Sequence, residues 1–154
     1  MSELVVRLTR LSNERHRFEY RRPDGSGEAV EMETRSLLTH DLAHFAVEAE
    51  AGLQDGFYGK LARAGSYAEI SGMDADALGL ERVVVTLQGS VKTEAPADHV
   101  WGRLVGTFSA MEEPFPEWLN PEVVERIHRR LRALLGEQRA TPFGDAMELR
   151  FPLT

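Results

Sequence analysis

The 154-residue chain has no cysteine. That absence removes disulfides, thiolate nucleophiles and zinc ribbons together. Any metal held by this sequence must be taken by His, Asp and Glu, a donor set that suits zinc, iron, manganese or nickel better than copper(I). Lysine is nearly missing too: Lys60 and Lys92 are the only two, and every other basic residue is arginine, which reads as the coding bias of a GC-rich bacterium. No apolar run approaches the ~20 residues that span a bilayer. The opening stretch "MSELVVRLTRL" is broken by Glu3, Arg7 and Arg10, so it lacks the apolar core of a signal peptide. The expectation is a soluble cytoplasmic bacterial protein with no membrane partner.

A basic excess is also lacking. The net charge is −7, and it is unevenly spread. Residues 1–35 balance at zero, whereas residues 36–119 hold five basic against thirteen acidic side chains. Neutralising phosphates requires a basic face. The locally basic "ERIHRRLR" reads as the solvated side of a helix, so no nucleic-acid partner is expected. What is present is ordinary globular composition, 42% hydrophobic and 28% charged, in a length that suits one domain, 1–154, with a real core.

The alternation of residues in "LVVRLTRL", "HRFEYR" and "EAVEMET" predicts three strands over about 3–33, joined by turns such as "PDGSG", as an antiparallel meander with one wet face. From Ser36 the period becomes helical, with Leu38, Leu42, Phe45 and Ala49 recurring and Gly52 placed as a C-terminal cap. Short helices are expected around Phe57 to Ala64 and after Ser66, where "SYAE" has the form of a capping box. "LERVVVTLQGSV" fits both templates, but the helical stripe of Leu80, Val83, Val84, Leu87 and Val91 collects more of its apolar residues. A further helix after Pro96 should bury Val100, Leu104, Phe108 and Met111. The last should begin at the Asn120 cap, bury Val124, Ile127, Leu131, Leu134 and Leu135, and end at Gly136. "AMELRFPL" alternates again, a strand over about 146–152 returning to the opening sheet. The fold class is therefore α+β, with central and C-terminal helices over about 36–136 packed on one face of an antiparallel sheet.

One stretch looks chemical: "HDLAHFAVE", residues 40–48. Residues four apart on a helix lie about 6 Å apart along the axis and 40° around it. His40 and His44 can therefore reach one cation, as the two histidines of zinc-protease helices do. A third donor must come from elsewhere, and the candidates are Glu48, at the end of its reach, and His128, within the apolar stripe of the last helix. Asp41 and Glu48 are placed behind the ligands, as hydrogen-bond acceptors that orient them or as proton-transfer groups. His16 lies on a strand and His99 falls off its helix's stripe, so both are weaker candidates. Residues 36–59 hold four acids and no base, which favours a cation. The competing reading is a solvated polar face, because Leu38, Leu42, Phe45 and Ala49 lie nearly opposite the histidines. Against it, Leu37, Val47 and Ala51 fall on or beside the histidine side, as on a helix covered all round.

The same stretch, followed by "GFYGKLA", resembles small bacterial proteins carrying the pattern HDLxHFxVE then GFxGxLA, over residues 34–64; that resemblance implies no activity. His40, Asp41 and His44 also resemble the zinc-binding HDxxH of a coenzyme Q biosynthesis family. There a glutamate follows twelve residues after the second histidine, and here that position is Gly56, where the likeness stops. No dinucleotide fingerprint or P-loop is present, and Ser36 and Ser90 lack a nucleophile-elbow context. Glu112 and Glu113 read as a solvated helix end.

With a single constellation, the first reading is a non-catalytic binding or interaction module, its partner a protein or a small molecule and a homo-oligomer among the options. The alternative is a metal-binding protein or metal-dependent hydrolase using the HDxxHxxxE helix, with a divalent metal such as zinc as cofactor.

Overall fold

The computed structural model describes residues 2–71 and 79–154. Strands β1 (Glu3–Arg10), β2 (Arg15–Arg21) and β3 (Gly27–Glu33) form the antiparallel meander, and β4 (Ala146–Pro152) returns antiparallel to β1, giving the order β3-β2-β1-β4. The period-2 patterns decide which face is dry. Leu4, Val6, Leu8, Phe18, Tyr20, Met32, Met147, Leu149 and Phe151 are buried on the inner face. The wet face sets Arg7 opposite both Glu19 and Glu148, and Arg17 opposite Glu31, opposite-charge neighbours that suit an exposed sheet.

Helix α1 (Thr34–Ala51) follows β3 with no intervening loop and crosses the sheet. On its other side lie α4 (Leu80–Lys92) and α6 (Pro121–Ala140), with α5 (Ala97–Ala110) against both. Two short helices, α2 (Phe57–Arg63) and α3 (Tyr67–Ser71), close one end. Every residue from Asp41 to Glu48 is buried. The helix is covered all round, which is why its apolar residues mark no single face and why its histidines do not simply look into bulk water. Gly52 ends it in the left-handed region at φ 68°, where glycine has no Cβ penalty. The ambiguous "LERVVV" segment is helical, with Leu80, Val83, Val84 and Leu87 all buried.

Three boundaries and contacts differ from expectation. Helix α1 starts at Thr34 rather than Ser36. Met111 is 49% exposed, because α5 ends just before it. Helix α6 does not stop at Gly136 but runs to Ala140. A glycine ends a helix only when it adopts the left-handed region, and Gly136 does not; a Cβ placed there would meet nothing within 4 Å. Gly136→Ala should therefore stabilise the protein by about 0.5–1 kcal/mol through helix propensity and a less disordered unfolded chain, read as a raised thermal midpoint.

His16 is buried at the sheet with Nδ1 3.0 Å from Thr34 Oγ1, and its Nε2 has no hydrogen-bond partner. Burial, helped by the Arg15 charge, pushes its imidazolium down to about 4. The unfolded chain binds this proton from about pH 6.5 downward and the folded chain does not, so stability falls as pH drops from 6.5 through 4. Denaturant melts at pH 7 and 4.5 should show a loss of about 2–3 kcal/mol from this group, and His16→Gln should remove most of it.

Candidate metal centre

The site joins α1 to α4. His40 and His44 stand one turn apart on α1, with ring centroids 4.7 Å apart. Glu81, in the first turn of α4, reaches back to both: Oε1 lies 3.1 Å from His40 Nε2 and Oε2 lies 3.0 Å from His44 Nε2. One ligating atom from each of the three residues falls within 4.8 Å of the others. Donors held 2.0–2.1 Å from a zinc ion stand about 2.9–3.4 Å apart at octahedral or tetrahedral angles; the two nitrogen–carboxylate distances already fall in that range, and a set within 4.8 Å closes on one ion by drawing in at most about 1.4 Å.

The far side of each ring is also held. His40 Nδ1 lies 3.2 Å from Gln88 Oε1, and His44 Nδ1 lies 2.9 Å from Glu48 Oε2. Glu81 and Gln88 are seven residues apart on α4, two turns along one face, so one helix supplies both a carboxylate to the Nε2 edge and an amide to the Nδ1 edge. Glu48 is fully buried, and its other oxygen, Oε1, accepts the Tyr58 backbone N–H at 2.8 Å. That contact requires Gly56, because a Cβ there would come within 2.5 Å of the Glu48 carboxyl group. Gly59 is required as well, its Cβ position falling 1.9 Å from the Gln54 carbonyl oxygen. The spacing of "HDLAHFAVE" and "GFYGKLA" thus corresponds to one packed unit in which α2 is seated on the Glu48 carboxylate.

Asp41 is turned away from the histidine edges. Its Oδ2 accepts from Tyr67 Oη at 2.8 Å, and its main-chain carbonyl accepts from Tyr58 Oη at 2.7 Å. Burial lifts its carboxyl to about 7, against the opposing pull of the Tyr67 hydrogen bond and the His44 charge. For His44 burial alone would push the imidazolium down, but the hydrogen bonds to Glu48 and Glu81 outweigh it and hold it up at about 9. The His44 hydrogen bond in turn lowers the Glu81 carboxyl. The site has a wet side and a dry side: His44 is 7% exposed, while His40 and Glu81 are 30% and 43% exposed.

His40 and His44 are therefore brought together, with Glu48 on the opposite edge of the His44 ring from Glu81. His128, one of the two candidates for a third donor, is not in the group. It is buried on α6 beside the Ala95 backbone, where burial pushes its imidazolium down. His16 stands at the sheet and His99 is exposed on α5. Glu81 was not anticipated, since it lies 37 residues from His44 and nothing local marks it. Its heptad partner Gln88, on the same face, is the one sequence signal that bears on it. Glu113, read from sequence as solvated, forms a two-pronged ion pair with Arg82. No protein-family model matches the chain, and no match was found among curated proteins or solved structures.

Proposed function

We propose that this chain is a metal-binding protein, holding one divalent cation through His40 Nε2, His44 Nε2 and a Glu81 oxygen. The observation that carries the reading is the combination of three converging donors with an acceptor behind each ring. Metal-ligating histidines characteristically donate the other ring N–H to a carboxylate or carbonyl oxygen, which fixes the tautomer and the ring plane. Gln88 Oε1 and Glu48 Oε2 stand where those acceptors belong. Two nitrogens and one carboxylate suit zinc or iron(II), and three protein ligands leave positions for water or substrate. An ion held there would meet solvent along the edge of His40 and Glu81, which are 30% and 43% exposed, and would supply the Lewis acidity that activates a water for hydrolysis. Asp41, Tyr67 and Tyr58 fix the helix beneath the site.

Elemental analysis of untagged protein tests the reading. One equivalent of metal in the wild type, lost in His40→Ala and in Glu81→Ala with the fold retained by circular dichroism, is the expected result. Protein free of metal after incubation with zinc, iron(II) and manganese would overturn it. A second reading, an interaction module, is favoured by Val85 on α4 and Val105 on α5, which are 56% and 42% exposed; it requires no metal.

A further inference from the structure

The sheet has two edges, β3 and β4, and their chemistry differs. In an antiparallel ladder, alternate residues direct both backbone groups to the same side. The bonds Leu153 N–H to Ser2 carbonyl and Arg10 N–H to Asp145 carbonyl fix the phase of the β1–β4 ladder. Met147, Leu149 and Phe151 therefore face β1, and Ala146, Glu148 and Arg150 direct their N–H and C=O groups to the open side. Gln54 Nε2 bonding the Pro152 carbonyl oxygen agrees with that phase. Among the described residues, no hydrogen bond from outside the sheet reaches the backbone of Ala146, Glu148 or Arg150.

Open strand edges invite pairing, and charges on them normally prevent it. Here the charges choose a partner. Glu148 and Arg150 alternate about Leu149, are 45% and 57% exposed, and in the single chain pair with each other at 3.0 Å, a contact that a second copy would exchange for two between strands. Set antiparallel against itself about Leu149, the strand places Glu148 opposite Arg150 of the second copy, twice. Both residues of each pair direct their backbone groups outward, so each pair closes two N–H···O=C bonds. Sliding the centre to Glu148 or to Arg150 sets like charges against each other. The β3 edge offers no such match: its outward-directed residues include Glu31 and Glu33 with no base among them.

We propose that β4 is a dimerisation edge, pairing antiparallel with β4 of a second copy about Leu149 to make one eight-stranded sheet. The two-fold axis stands perpendicular to the sheet, so both helical layers lie on the same face. The metal centre is on the helical layer and takes no part in this contact.

Sedimentation equilibrium over a wide concentration range tests the proposal by charge exchange. Wild type should show a concentration-dependent dimer. Glu148→Arg and Arg150→Glu should each weaken it by about tenfold or more, since both attractive pairs become repulsive. The double exchange, Glu148→Arg with Arg150→Glu, should restore it. A monomer at every concentration, or a dimer indifferent to the single exchanges, would overturn the proposal. Amide exchange in the wild type needs no variant: protection of the Glu148 and Arg150 N–H groups should rise with concentration, and concentration-independent exchange would contradict the pairing.

Discussion

Glu48→Ala should cost the metal-free protein about 3–5 kcal/mol, because it removes one partner of a buried ionic contact and leaves the others unpaired. Glu48 has 0% exposure and serves two donors, the His44 Nδ1–H and the Tyr58 backbone N–H. Without its carboxylate, the start of α2 loses its acceptor and the buried His44 loses a counter-charge. Domains of this size have about 5–15 kcal/mol in total, so the variant should melt far below wild type or be unfolded at 37 °C. Glu48→Gln separates packing from charge. One amide oxygen can satisfy Tyr58 or His44 but not both, and the amide NH2 then faces a donor. Its stability loss should be smaller than that of alanine, while zinc affinity should fall by about 10–100-fold, the usual cost of losing a partner behind a metal-bound imidazole. Equal zinc affinity in Glu48→Gln and wild type would show that Glu48 orients nothing.

The second large effect is on metal-dependent stability. Zinc at one hundred times its dissociation constant should add about 2.7 kcal/mol, by selective binding to the folded state. Scanning calorimetry should show that rise in wild type and its loss in His44→Ala. The pH dependence runs in opposite directions with and without the ion. An imidazolium held at about 9 in the fold, and titrating near 6.5 when unfolded, stabilises the metal-free protein fully below pH 6.5. That contribution is lost as pH rises through 9. Zinc needs the His44 Nε2 lone pair and must displace its proton, so its affinity should weaken about tenfold per unit as pH falls from 9 to 6.5. Calorimetric titrations at pH 6.5, 7.5 and 8.5 measure this directly; a flat profile would mean that His44 is not a ligand.

The fold was legible where one period dominated. Phe18 and Tyr20 alternating with charges gave β2, Asn120 with Pro121 gave the start of α6, and the returning alternation of Met147, Leu149 and Phe151 gave β4. Gly136 misled because glycine terminates a helix by its backbone conformation, and identity alone does not reveal that conformation. Helix α1 was harder, since a helix buried on all sides shows no polar face, and His44 and Glu48 are buried there alongside Phe45. The pairing of His40 with His44 could be read because one turn of helix fixes it. Glu81 could not, because its approach depends on how α4 lies on α1, a packing of helices distant in the chain. His128 looked eligible for the same reason: the sequence places it on the dry side of α6, and only the packing shows that this side meets the Ala95 region.

The central claim is that the two Nε2 atoms on one turn of α1 converge on a cation while both Nδ1–H groups are held from behind. Nitrogen-15 NMR of the histidine rings during a zinc titration observes those four atoms separately. At one equivalent, the Nε2 signals of both His40 and His44 should move to metal-bound positions while both Nδ1 atoms remain protonated, donating to Gln88 and Glu48. Ring signals that do not respond to zinc, or a response from only one of the two histidines, would contradict it.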